Sequence, residues 1–355
     1  MNKNFCKRLH FLYEDVRFLI RYICKSRFSC TFTAGGIRYS TVNSHTGHEV
    51  EVAYKEEGEY VGDIVIPSTV TYFGITCRVK YLGGDVFADC RSLTSVVIPD
   101  SVTEIREEAF TGCRGLTSVS IGHSVTRIAK RAFRDCTSLA SVVIPDSVTI
   151  IGWEAFANCA SLTSVVIPDS VKEIEWKAFA DCKALASVSI PNSVTSIGEE
   201  AFTDCSSLTS VAIPDSITII EYRAFADCTS LASVSIPDSV GIIGWGVFAG
   251  CTSLVPVSIP DSVRLIGWDA FRDCSSLTSI RIPRSTRTVG DDAFSGCTSL
   301  RDVFVVWPKP PDADELFQKR ALPFRSKMTL HVPAGTSALY RVADGWNSFG
   351  TIVEE

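Results

Sequence analysis

The stretch CRSLTSVVIPDSVTEIREEAF, residues 90–110, decides the reading of this 355-residue chain. It returns with a period of 23, marked by Cys90, Cys113, Cys136, Cys159, Cys182, Cys205, Cys228, Cys251, Cys274 and Cys297. A fixed period of this kind means stacked coils, each one too small to bury its own apolar face without neighbours. Inside one copy, Leu93, Val96 and Ile98 point into a core, while Thr94, Ser95 and Val97 take the other face of a short strand. Pro99 has no amide to donate and ends that strand. Val102 and Ile105 are expected to carry the chain across the core. Ala109 and Phe110 then bring it back through a short helical or 3₁₀ turn. With Cys113 added, eight positions recur as apolar or small, and burying each large one is worth about 1.5–3 kcal/mol.

The length would allow two ordinary domains, but a solenoid grows by adding coils and needs no second core. A hydrophobic content of 46% marks a folded chain. The net charge of -6 argues against a general nucleic-acid footprint. No run approaches the length of apolar chain that a transmembrane helix needs.

Fourteen cysteines raise the question of disulfides or metal. Ten of them form one column, a single residue per coil, and not the paired C-x-x-C of a zinc site. Neighbours in the column stand about 4.8 Å apart with parallel side-chain vectors, which disfavours bridging. The column, with Cys113, Cys136, Cys159 and Cys182 at its centre, is therefore read as a structural ladder of buried reduced thiols. A second ladder is polar. Ser101, Ser124, Ser147, Ser170, Ser193, Ser216, Ser239, Ser262 and Ser285 share one phase. A hydroxyl can satisfy the backbone groups that a buried turn leaves open, so these serines are structural and not nucleophiles.

The flanks differ from the array. Residues 1–31 form a basic extension, with Lys3, Lys7, Arg8, Arg17, Arg21, Lys25 and Arg27 against Glu14 and Asp15. Its apolar runs FLY and FLI are interrupted by charge, unlike the h-region of a signal peptide. A degenerate export signal, a poorly ordered tail and a mis-set start site all remain open. Residues 32–86 read as a β-rich N-terminal cap, with GIRYS, EVEVAY, DIVIP and TCRVKYL as strand-like runs. Ile66 and Ile98 are separated by nine residues more than one period, which predicts a loop or small hairpin between them. Residues 87–306 are the array. Residues 307–355 are a C-terminal cap: a Pro-rich break, a last strand at TLHVP, a short helix N-capped at Thr336 or Ser337 and stopped at Gly345, and Trp346 with Phe349 closing the apolar end.

The unit C-x-S-L-x-S-V-x-I-P-x-S-V-x-x-I-x-x-x-A-F resembles the BspA-like, or Treponema-type, leucine-rich repeat of bacterial cell-surface proteins. The lead-in IVIPSTVTYFG and the ending LHVPAGTSALYRVADGW are similar to capping segments of that family. The resemblance implies a curved α/β-type repeat solenoid with a parallel sheet on the concave face and short helical or 3₁₀ turns on the convex face. It also implies a place at the cell surface or in the medium and adhesion-like binding of macromolecules. It brings no catalytic residues. Residues 1–30 depart from the clean signal peptide expected of members.

A search for chemistry finds little. His10, His45, His48, His123 and His331 do not recur with the period and have no Cys or Asp partner at motif spacing. No phosphate-cradling loop or nucleophile elbow appears. The expectation is a monomer that is not an enzyme, with no cofactor, no metal and no nucleic acid. Three outward columns remain. The strand face of Thr, Ser and Ala either accepts an extended partner or simply suits a tight stack. The carboxylates Asp100, Asp146, Asp169, Asp215, Asp238 and Asp261 fit turn chemistry after proline better than calcium, whose six to eight oxygens one residue per coil does not supply. The third column is aromatic: Trp153, Trp176, Tyr222, Trp245 and Trp268, interrupted by Glu199. These rings are predicted to point outward and to lie within aromatic contact of one another, about 4.5–7 Å. They either stiffen the convex side or dock a protein or glycan partner. The alternative to a binding protein is a structural spacer with no ligand of its own.

Overall fold

The computed structural model describes residues 31–42, 48–55, 58–318 and 320–355. The basic extension up to residue 30, with His10, and His45 lie outside the described residues. The rest is a solenoid of 23-residue coils, and the eight inward positions read from the first coil are all buried. Strands starting at Leu93–Val97 pair in parallel with the next coil one period on, as in Ser95↔Ser118 and Val96↔Val119.

A second parallel sheet runs beside the first. Glu104–Ile105, Arg127–Ile128 and Ile150–Ile151 stack in register, and the series continues to Thr288–Val289. The chain crossing at Val102 and Ile105 is thus a ladder in its own right. The return is made of two tight turns. In the first coil Ala109 N–H donates to Arg106 O and Cys113 N–H to Phe110 O. These are the i+3→i bonds of a 3₁₀ helix, but Glu108 and Gly112 are left-handed at φ 58° and 72°, so the turns do not fuse into a helix. The turns also bond from coil to coil: Phe110 N–H donates to Ala132 O, and Phe133 N–H to Ala155 O.

Three columns fill the core. Phe87 to Phe294 stack with centroids 4.9–6.0 Å apart. The ten cysteines of the array are free and buried. From Cys113 on, each thiol donates to the carbonyl of the phenylalanine 26 residues earlier, at 2.9 Å for Cys113 to Phe87 and 3.2 Å for Cys136, Cys159 and Cys182. Burial pushes the Cys182 thiol up to about 12. The serine column works as a ladder in six of its nine members. Ser147 and Ser170 donate to Val125 O and Val148 O at 2.6 Å. Ser216, Ser239, Ser262 and Ser285 do the same two, three, four and five coils after Ser170. Ser193 does not: its Oγ is buried without a partner, as is that of Ser101.

The ladders are not continuous. Both strand ladders lapse between the coil of Ser187–Ser189 and Ser196–Ile197 and the coil of Ser210–Ala212 and Ile219–Ile220. The turn ladder runs through, with Glu200 N–H donating to Tyr222 O at 2.8 Å. The first sheet lapses again where Pro256 occupies the strand position of Ser233 and Ser279 and has no amide to give.

At the N-terminal end Thr31–Ala34, Ile37–Thr41 and Glu49–Val52 lead into the second sheet, and Tyr60 sits edge-on against Phe87 at 4.9 Å. The extra residues after Ile66 form a hairpin, Thr69–Tyr72 with Ile75–Leu82, turned by left-handed Phe73 and Gly74. At the other end Thr329–Val332 is not the last strand. Thr351–Glu354 pairs with it in parallel. The helix Ser337–Val342 has no side-chain cap from Thr336, whose hydroxyl donates to Pro333 O instead. Glu354 accepts the N–H groups of Gly335 and Ser337 at 2.8 Å, and the Ser337 hydroxyl together with these two amides holds its carboxyl down at about 2. Among the described residues no helix is long and apolar enough to cross a membrane.

Candidate functional site

The aromatic column lies just beyond the second sheet. The chain leaves an inward isoleucine such as Ile243, passes a glycine, and turns the next residue outward. Trp153, Trp245 and Trp268 are 51%, 52% and 48% exposed, and Tyr222 is 40% exposed. Trp176 is half-buried, with the Lys177 ammonium 4.7 Å above its ring. The side chains point outward, but they do not form one continuous stack. Trp245 and Trp268 are parallel, 4.9 Å apart at 8°. Among the described residues no other pair in this column is in ring contact. Glu199 splits the column, with Trp153 and Trp176 before it and Tyr222, Trp245 and Trp268 after it.

Local packing sets each ring. Trp153 N–H donates to Glu175 Oε2 at 3.0 Å, and Trp268 Nε1–H donates to Gln318 Oε1 at 2.6 Å. The rings of the stacked pair lean on glycines of the following coil. A Cβ at Gly267 would lie 2.8 Å from Trp245 Cδ1, and one at Gly290 would lie 2.4 Å from Trp268 Cδ1.

The structure adds apolar residues to this surface. The outward residue of the second strand is Ile219, Ile242 and Leu265 in the coils that carry Tyr222, Trp245 and Trp268. Ile219 is 40% exposed, and the other two are half-buried. In other coils the same phase holds Glu104, Arg127, Glu173, Ser196 or Thr288, with Ile150 beside Trp153 as the one apolar exception. The change from polar to apolar was visible in the sequence. It had no meaning until this pair of residues was known to be a strand. On the first sheet Val143 and Val166 are also largely exposed, so that face is less uniformly polar than its serines suggest.

The acidic column behaves as turn chemistry: Asp100 Oδ1 accepts the His123 N–H at 2.7 Å, and Asn192 Oδ1 the Asp215 N–H at 3.1 Å. Among the described residues there is no group of three His, Cys, Asp or Glu able to hold a metal ion. His331 does have acidic partners that its sequence spacing hid, Asp302 at 2.9 Å and Glu355 at 2.7 Å. They join the final strands, with Phe304 stacked on the imidazole at 4.2 Å.

Known proteins place this geometry. A BspA type leucine rich repeat region matches residues 63–186 and 172–301, with 6 copies. A leucine rich cell surface protein from Faecalibacterium prausnitzii A2-165 is 26% identical, over 92% of this chain and 95% of its own, with a TM-score of 0.48. The leucine rich repeat protein of T. pallidum is 29% identical over 63% of this chain and 91% of its own, with a TM-score of 0.47. The pneumococcal vaccine antigen PcpA is 18% identical over 93% of this chain and 100% of its own, with a TM-score of 0.52, and shares the fold. No curated protein matches the chain. With the family match spanning most of its length and the coils stacked as that repeat requires, the chain belongs to the BspA-type leucine-rich repeat proteins.

Proposed function

We propose that this chain is a non-enzymatic binding module, exposed on a cell surface or secreted, that recognises a host or neighbouring-cell macromolecule through its outward aromatic column. The observation that carries the reading is the exposure of one aromatic phase. Trp153, Tyr222, Trp245 and Trp268 keep 40–52% of their surface in solvent, while the phenylalanine column of the same coils is buried. Large rings repeated at one height on a rigid scaffold provide wide contact area at little conformational cost. The surface location rests on family membership. Residues 32–86 and 307–355 are read as the caps that end the stack, and the monomer as the working unit.

The test replaces Trp245 and Trp268 together by Ala and measures capture on immobilised matrix proteins and glycans. Wild type is expected to bind one of them saturably, and the double variant at least about tenfold more weakly. Its melting temperature is expected to stay within about 4 °C of wild type. A collapse of the melting temperature would show the rings to be structural. Absence of any saturable binding by wild type would favour a spacer.

A further inference from the structure

The chain carries a second feature of recognition character, beside the rings but lined by none of them. A shallow hollow of about 600 Å³ runs across four coils on the second sheet. Its floor is Ile219, Ile242 and Leu265, and its length is about 14 Å at one strand spacing per coil. Arg264 and Arg287 line it next to that floor, and Ser239 and Ser262 complete the lining. Arg284 stands at the turn beside the Arg287 end, in the phase that holds Asp238 and Asp261 in the two preceding coils, so the charge along that column reverses there. Among the described residues none of Arg264, Arg284 and Arg287 has a carboxylate within ion-pair distance. Arg131, Arg223 and Arg272, by contrast, are paired with acids, so their charge is not available to a ligand in the same way.

Gly241 opens the hollow. Its phase carries Thr126, Thr149, Lys172, Thr195, Thr218, Arg264 and Arg287 in other coils, and a Cβ on Gly241 would meet nothing closer than Thr218 O at 3.9 Å. The lining is missing a side chain where the floor is most apolar.

The geometry points to a docking groove for an extended acidic peptide segment of a protein partner, with apolar side chains on Ile219, Ile242 and Leu265 and carboxylates on Arg264 and Arg287. A strand rising about 3.3 Å per residue spans the hollow with four or five residues. A sulfated glycan would satisfy the arginines but would leave the isoleucine floor without an apolar partner. The acidic column at Asp238 and Asp261 repels the ligand's carboxylates and favours the orientation that places them at the Arg287 end.

Fluorescence anisotropy with a labelled peptide of alternating Asp and Leu, about eight residues long, tests this on the full chain. Saturable binding is expected. Gly241→Leu, which fills the hollow without touching core, and the pair Arg264→Glu with Arg287→Glu are each expected to weaken it about tenfold or more. Trp245→Ala with Trp268→Ala is expected to leave it unchanged, which separates this groove from the aromatic column. Equal melting curves establish that the variants fold. The proposal is overturned if the Asp-Leu peptide does not bind. It is also overturned if poly-Asp or a sulfated oligosaccharide binds as tightly and Gly241→Leu has no effect, since simple charge attraction then explains the binding.

Discussion

Ser170 and Ser193 share one phase of the coil and differ in what their hydroxyls meet. Ser170 donates to Val148 O at 2.6 Å, while Ser193 Oγ is buried and bonded to nothing. Ser170→Ala should cost about 1 kcal/mol and Ser193→Ala nothing, or give a small gain, in urea unfolding midpoints. Equal losses at both would show that the column acts through volume alone. The sequence announced the serine column but not its acceptors, which lie 22 residues back and depend on how adjacent coils slide. The left-handed residues show the same limit. The residue before each array cysteine is Asp, Asn or Gly throughout, as in Asp89, Gly112 and Asn158, a readable turn signal. The other left-handed position mixes Asp85, Gly246, Asp269 and Asp292 with Glu108, Arg131, Glu154 and Lys177, residues with no such preference, and local chemistry did not reveal it.

Among the elements, the strand from Leu93 to Val97 was legible because apolar alternation and a closing proline define it. The second sheet was not, because Glu104–Ile105 is two residues long and two residues have no period. That sheet sets how near coils approach. The glycine after its inward isoleucine meets the previous coil: a Cβ at Gly267 would lie 2.6 Å from the Gly244 carbonyl as well as against Trp245. Gly267→Ala should therefore destabilise by about 1–3 kcal/mol and change tryptophan fluorescence, whereas Gly241→Ala, three residues upstream of Gly244, should be close to neutral. Equal effects of the two in thermal melts would mean that the coils relax freely along the axis. The helix Ser337–Val342 gives the converse lesson. Its position was readable, but its cap was not, because Glu354 arrives from the strand that follows.

At the level of the whole molecule, the period alone established a stack of coils, since any column of like residues must then run along the axis. The thiol column links that architecture to pH. Burial outweighs the opposing backbone contact from the cysteine one coil earlier and pushes Cys182, Cys228 and Cys297 up to about 12, and an unfolded thiol titrates near 8.5. The folded state thus holds these protons more tightly. Their contribution to stability is complete below about pH 8.5 and is lost as pH rises through about 12, at up to about 1.4 kcal/mol per pH unit for each thiol. Tyr39 and Tyr340, raised by burial to about 12, act in the same direction from about pH 10. A flat circular-dichroism signal to pH 8 and a steep alkaline collapse are expected. Site-mapped alkylation at pH 8 should spare Cys113 to Cys297 until denaturant is added, and rapid native labelling of these sites would contradict the burial. The lapse of both strand ladders after Ile197 leaves a seam in the stack. There the coils are joined on the strand side by the Thr209 N–H to Ala186 O bond at 3.3 Å and by Ser216 Oγ to Val194 O, while on the turn side Phe202 and Phe225 stay stacked at 5.4 Å. Trp153 with Trp176 lies on one side of that seam and Tyr222 with Trp245 and Trp268 on the other. A partner long enough to reach both groups of rings would bridge the gap that the sheets leave.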